Sequence, residues 1–578
     1  MARIAYRIEL PEPGTHRYRV TLTVPQPQAL QELALPVWIP GSYMLREFAR
    51  HLSRLEARQG GRACALRQLD KTRWVAECHG RAALVLSYEV YAFDPSVRTA
   101  WLDDTRGFFN PTSLCLQVVG REAEPHELQI GTLPRGWEVA TAMTPLPGRR
   151  QAWLCADYDE LADHPVELGA FWRGQFEVAG AVHEFVVAGA WPGFDGERLL
   201  ADTRRLCAAQ IAFWHGRRKP PFQRYVFLLW AVDEGYGGLE HRASTALIAN
   251  RRDLPRLGQS ASTDGYVTLL GLISHEYFHT WNVKRLKPRE FLRYDYQREN
   301  YTQLLWFFEG FTSYYDDLFL QRTGLIDAPR YLKLLSRVIN GVRATPGRRV
   351  QSVAEASFDA WNKYYRPDEN TPNATVSYYT KGSLIALLLD LRLRGREQSL
   401  DALMRLLWAR HASSGLTEDD VLAAVTELGG ADLARELAQW VHGRDELPLE
   451  AALAASGVQL SQEGSGWTAA LGLKLSEGPV SGCHVKQVLD GSAAARAGLS
   501  AGDELLAVDG WRIRRLDDAQ AWVREGQAFE LTLVRQQRLR TLRVQPGGEA
   551  GFTRAWALTL RSEPAAAAAA LRQGWLGA

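Results

Sequence analysis

Apolar and polar residues alternate at the period of a β-strand along the first 165 or so positions. IAYRIEL (4–10), HRYRVTLTV (16–24), LVLSYEVYAF (84–93) and SLCLQVVG (113–120) carry the signal, punctuated by Pro and Gly. They predict an N-terminal β-sandwich over residues 1–168. FEVAGAVHEFVVAGAW (176–191) and RYVFLLWAV (224–232) read as further strands. Between them Phe194 to His215 reads as a helix, with Leu199, Leu200, Leu206 and Ile211 on one face. Longer helical runs follow at 266–283, 302–321 and 381–395, so 169–455 is expected to be one α+β catalytic domain, mostly helical and thermolysin-like. Short strands return over 456–547, and a tail at 548–578 carries an Ala-rich helix after Pro564. The fold class is thus multidomain α+β.

Composition changes this picture little. Hydrophobic residues make up 46% and charged residues 23% of the 578, enough to bury a core in each domain. A net charge of +2 argues against a dedicated nucleic-acid or anionic-membrane surface. No membrane span is expected, because no run of about 18 uncharged apolar residues occurs. The opening MARIAYRIELPEPG has no apolar h-region, so no secretory signal is read and a cytoplasmic location is expected. Six cysteines without a CxxC pair are expected to be free thiols.

The chemistry concentrates in His275-Glu276-Tyr277-Phe278-His279, an HExxH motif on the first long helical run. On a helix, positions i and i+4 share a face, so the two imidazoles can take two corners of a tetrahedral zinc. Zinc lowers the pKa of a water it coordinates toward about 7, and Glu276 stands where it can take that proton. A third protein ligand is needed. Glu309 in WFFEGFTSYYDD is the candidate, as a carboxylate on a separate downstream helix is in the gluzincin class. Its neighbours Trp306, Phe307, Phe308 and Phe311 would make an unpaired carboxylate costly there, and Gly310 lets another backbone approach. Asp316, two turns on, is a candidate hydrogen-bond acceptor for a ligand histidine, with a solvated carboxylate as the alternative.

Several stretches together resemble the glycyl aminopeptidase family, gluzincin-type zinc aminopeptidases with a C-terminal PDZ domain. They are VWIPGSYMLREFARH (37–51), GGLEHRAS (237–244), HEYFHTWNVKRLKP (275–288), FFEGFTSYY (307–315) and SYYTKGSLIALLLDL (377–391). The resemblance implies that Glu240, in Gly-Gly-Leu-Glu-His, binds the substrate's free α-ammonium, with Gly237 and Gly238 letting the strand lie against the peptide. Asn is usual in the broader class where His241 stands here. The resemblance also implies that Tyr379, in Tyr-Thr-Lys-Gly, stabilises the oxyanion, with the adjacent Tyr378 left open as the alternative. A small first residue, notably Gly, is implied as well, with Trp281, Trp306 and Phe308 as possible pocket walls. Tyr43 and Arg46 could reach the cleft or pack their loop.

Gly491-Ser492-Ala493-Ala494, Ala497-Gly498-Leu499, Gly502-Asp503 and Val508-Asp509-Gly510 resemble PDZ domains of bacterial proteases, with Leu505, Leu506 and Val508 on a strand. A peptide C-terminus is the expected partner, its carboxylate near the loop Ala470–Leu473. The functional expectation is an aminopeptidase with one Zn2+ per chain, acting on peptides with a free N-terminus. The alternatives are a zinc endopeptidase that selects substrates through the PDZ region, and an inactive peptide-binding scaffold.

Overall fold

The computed structural model of the chain describes residues 3–577 apart from 479, 525, 548–551 and 553. The chain folds as two compact units, 1–301 with 411–415, and 302–410 with 416–578.

The first unit begins with a β-rich domain. Its largest sheet pairs Ile4–Glu9 antiparallel with Arg17–Val24 and parallel with His126–Ile130, and continues through Leu84–Tyr91 and Leu52–Gln59. Inward positions such as Ile4, Tyr6, Ile8, Val20 and Leu22 are buried, as the alternation predicts. The stretch 113–120 departs from the expected strand. Pro111–Leu114 forms a helical turn and only Gln117–Val118 joins a sheet. Three buried tyrosine hydroxyls take the carbonyls a ladder would have used: Tyr88 donates to Leu114 (2.7 Å), Tyr158 to Cys115 (2.7 Å) and Tyr6 to Leu116 (2.6 Å).

A five-stranded sheet follows. Ala181–Ala188, Arg224–Val232 and Ser244–Asn250 run parallel, Trp172–Val178 pairs antiparallel at one edge, and Tyr236–Glu240 pairs antiparallel with Ser244–Asn250 at the other. The parallel strands are covered on both faces, which is why their sequences run apolar without alternating. Helix Gly196–His215 starts close to the predicted position, with Asp195 accepting from the Arg198 amide. Helix Asp264–Phe278 carries the HExxH motif. Thr263 caps it by accepting from the Tyr266 amide (3.0 Å), and apolar residues surround most of its circumference.

The second unit is helical at its start. Helices Leu305–Arg322 and Tyr378–Arg394 cross backbone on backbone. A Cβ added at Gly310 would stand 2.6 Å from the Gly382 Cα, and one at Gly382 would stand 2.6 Å from the Trp306 carbonyl oxygen. Asp390, fully buried between these helices, accepts from Tyr314 (2.7 Å), Arg394 (2.9 Å) and the Leu400 amide (2.8 Å).

The C-terminal PDZ-like module is a sheet ordered Leu473–Gly478, Gly482–Val488, Glu504–Val508, Phe529–Arg535, Arg538–Val544, with a short helix at Ala493–Ala497. It hangs from a ribbon not anticipated from the sequence. Val458–Gly464 pairs antiparallel with Arg554–Leu560, so the module lies between the two strands of its own stem. The Asn340 side-chain amide clamps that stem, donating to the Trp556 carbonyl (2.9 Å) and accepting from its amide (2.7 Å). The tail helix, Ala566–Leu576, returns to bury Trp575, and its Leu576 carbonyl accepts from Gln321 (2.6 Å). Among the described residues no helix is long and apolar enough to cross a membrane.

The Gly310–Gly382 crossing leaves no room for a methyl group without parting two helices. Gly310→Ala is expected to destabilise the protein by on the order of 2–3 kcal/mol, read as a lower thermal midpoint. Replacement at the open Gly341, with nothing within 4 Å of an added Cβ, should leave the midpoint unchanged or raised.

Candidate active site

The first unit holds His275, Glu276, His279, Glu240, Gly237 and Gly238. His275 closes the last full turn of its helix, and His279 is the C-cap, still in right-handed conformation, with its amide on the His275 carbonyl. The i,i+4 relation therefore survives to the helix end, and the two Nε2 atoms lie 3.0 Å apart. His279 donates from Nδ1 to the Asn282 carbonyl (2.8 Å), which leaves its Nε2 lone pair facing His275. The Asn282 carbonyl is thus the partner of His279's other ring nitrogen. The next residue, Val283, has φ +121°, a conformation that is an outlier for a β-branched side chain, and the peptide between them carries the carbonyl that holds the imidazole. Two imidazole lone pairs aimed at one point suit a small divalent cation. Zinc with tetrahedral nitrogens at about 2.0–2.1 Å would set them roughly 3.3 Å apart.

The helix is fixed from behind. Gln210 donates to the Ser274 carbonyl (2.9 Å) and hydroxyl (3.0 Å), and the Tyr277 hydroxyl shares a 2.8 Å hydrogen bond with His183 on the sheet. Trp281, considered as a pocket wall, is fully buried and donates to His215 Nε2 (2.7 Å).

Glu276 is 5% exposed and lies against the edge strand Tyr236–Glu240. A Cβ at Gly238 would come 2.1 Å from the Glu276 Oε1, so only glycine admits the carboxylate there. Glu240 ends the same strand, 4% exposed. One side-chain oxygen of Glu240, one of Glu276 and a ring nitrogen of His279 all lie within 4.8 Å of one another. Two carboxylates this close and this buried form a strongly anionic niche.

The β-rich domain shapes this niche through residues that sequence reasoning passed over. Gly41 (φ +95°) abuts Glu240, whose Oε1 would be 2.5 Å from an added Cβ. Arg98 donates to the Gly238 carbonyl (3.0 Å), capping the edge strand. Asp163 accepts from the Arg242 amide (2.9 Å), pairs with Lys284 (2.7 Å), and lies 3.4 Å from His241 Nδ1. Burial alone would raise the Asp163 pKa, but Lys284, His241 and Arg242 outweigh it and hold it well below the ordinary value. Burial lowers the His241 pKa to about 4 against the opposing pull of Asp163, so the imidazole beside Glu240 is neutral at physiological pH. Tyr43 packs against a distant segment and Arg46 bonds within its own loop. Tyr43 stacks on Phe291 (5.8 Å) and Arg46 donates to Ser42 (2.7 Å). In the sequence Gly41 stood out only as part of VWIPGSYMLREFARH (37–51).

The second unit holds Glu309 and the tyrosines. Glu309 is 1% exposed in the second turn of helix Leu305–Arg322, among fully buried Trp306, Phe307, Phe308 and Phe311. Tyr379 is the second residue of helix Tyr378–Arg394, behind the Ser377 cap. Burial, and then the Glu309 carboxylate, push the Tyr379 phenol well above its ordinary pKa, so it remains a donor. Tyr379 stacks on Tyr364 (5.3 Å), and its hydroxyl is 3.5 Å from that of Tyr365. Tyr378 is fully buried, whereas Tyr379 keeps part of its surface. The Tyr364-Tyr365 pair was not singled out in the sequence.

Comparison with known proteins agrees across most of the chain. Models of the Peptidase M61 N-terminal domain, the M61 glycyl aminopeptidase and a PDZ domain match residues 5–170, 268–385 and 484–535. The crystal structure of an aminopeptidase N family protein from Idiomarina loihiensis is 37% identical. It superposes with a TM-score of 0.93 over 99% of this chain and 100% of that one. Aminopeptidase N of Haemophilus influenzae is 25% identical over 212 residues, and that of Escherichia coli 26% over 213. Each match covers 36% of this chain, and the chain spans only 21% of the length of those two proteins. Near-complete coverage at 37% identity, with M61 models on both the β-rich and the helical stretch, makes this chain a member of the M61 glycyl aminopeptidase family of peptidases.

Proposed function

We propose that the protein is a zinc-dependent aminopeptidase that removes a small N-terminal residue, glycine foremost, from peptides. The observation that carries this reading is the cluster of Glu240, Glu276 and His279 within 4.8 Å of one another. A carboxylate one residue's length from a candidate metal ligand and a candidate base sets a ruler for a peptide's cationic end. The glycine preference draws on the description of the matched family.

In this reading His275 and His279 hold one Zn2+ per chain, and Glu309 of the second unit supplies the third ligand. When bound, the metal supplies Lewis acidity, polarising the scissile carbonyl and acidifying the attacking water. Glu276 accepts the water's proton and passes it to the leaving amine. Glu240 receives the substrate ammonium, and the edge strand at Gly237 and Gly238 lies along the first residue. Tyr379, the more exposed of its pair, donates to the developing oxyanion. The PDZ module takes a peptide C-terminus as an added strand beside Leu473–Gly478, an edge of its sheet.

Free and N-acetylated forms of one glycyl peptide separate the readings. Only the free form is expected to be cleaved, and Glu240→Ala should lower kcat/KM for it by about a hundredfold. Equal cleavage of the acetylated form would instead establish an endopeptidase. Metal analysis tests the ligand set, with Glu309→Gln expected to lose the ion. Glu276→Gln should keep it while kcat falls by about 10²–10⁴. Gly238→Ala, which displaces the Glu276 carboxylate, is expected to lower kcat by at least about tenfold with metal content unchanged. Wild-type turnover in that variant would remove the base from Glu276.

A further inference from the structure

A second cavity, of about 670 Å³, opens in the second unit beside helix Tyr378–Arg394. Its chemistry differs from that of the candidate active site. Lys381 lines it and is 2% exposed. Among the described residues the Lys381 ammonium has one polar contact, a long 3.5 Å approach to the Arg348 carbonyl. Among the described residues no carboxylate lies within ion-pair distance of it, and burial lowers its pKa. A buried ammonium so weakly partnered is costly unless an anion joins it.

The surrounding charges do not discharge that cost. Glu446 is the nearest in electrostatic effect, but its carboxylate is held by Arg348 (3.0 and 2.8 Å) and approached by Arg349 (3.4 Å). Asp445 and Glu450 also line the cavity, and both are exposed to solvent. Arg343, the fourth cation on the wall, lies over the Trp556 ring at 4.4 Å. The rest of the lining is apolar, including Leu384, Leu449 and Ala454. A buried cation beside an apolar floor, in a volume typical of small-molecule sites, selects for an anionic head on an apolar body.

We propose that this cavity binds a small monocarboxylate with a branched aliphatic or aromatic body, its carboxylate on Lys381 and its body against Leu384 and Leu449. Free amino acids with apolar side chains and simple organic acids both present that chemistry. The site is independent of the aminopeptidase reading, because none of the proposed catalytic residues lines it.

Isothermal titration of the zinc-loaded full chain with L-leucine and 4-methylpentanoate tests it, with 4-methylpentanamide as the uncharged control. Saturable binding of at least one acid is expected, with no binding of the amide. Binding of leucine alone identifies the amino acid as the ligand, and binding of 4-methylpentanoate identifies the carboxylate and body as sufficient. Lys381→Met should weaken binding at least about tenfold, as should Ala451→Trp. Position 451 is an exposed part of the lining, and the larger ring fills the cavity without removing a charge. Glu240→Ala should leave 4-methylpentanoate binding unchanged, which separates this cavity from the peptidase centre. Wild-type affinity in either cavity variant, equal binding of the amide, or no saturable binding of either acid would overturn the proposal.

Discussion

At Gly238 the edge strand comes so close to the HExxH helix that the Glu276 carboxylate occupies the place of a side chain. This contact sets how closely the strand and the helix approach each other. It brings Glu240, at the strand's end, within 4.8 Å of Glu276 and His279. It also requires both partners to be immobile. The strand is one edge of a sheet whose parallel members are buried on both faces, and the helix is tied to that sheet through Tyr277 and His183. A single glycine therefore links the geometry of a rigid sheet to the position of a buried carboxylate.

The β-rich domain contributes to this arrangement. Gly41 closes on Glu240 by the same device, a backbone that accepts a carboxylate where a methyl group would otherwise stand. Asp163 gathers the turn after Glu240 and the loop after the HExxH helix onto one buried carboxylate, through Arg242 and Lys284. With two cations and the dipole of a neutral imidazole about it, the buried charge is compensated, so the two segments are held in register. The anionic niche thus lies among elements from two domains of the first unit.

Much of this was legible in the chain because it is local. The apolar stripes give helices 264–278, 305–322 and 378–394 and strands 4–9, 17–24, 84–91 and 224–232. The spacing of His275 and His279 fixes their shared face, and Gly310 announced a close backbone approach that turned out to be Gly382. What stayed hidden is non-local. Nothing near 113–120 in sequence reveals that tyrosines at 6, 88 and 158 will take its carbonyls. Gly41 and Glu240 are 199 positions apart, and the pairing of 458–464 with 554–560 spans an entire module. Lys381 read only as part of a motif until its surroundings were known.

The stem of the PDZ-like module has a mechanical consequence. The chain enters and leaves the module side by side, at Gly464 and Arg554, the same end of an antiparallel ribbon. A load applied through the module falls on one rung at a time, beginning at that end and travelling toward Val458 and Leu560. Asn340 grips the ribbon at Trp556, close to where opening would start. The attachment is therefore a zipper with a clasp near its mouth, one that yields stepwise to tension and reseals from its base.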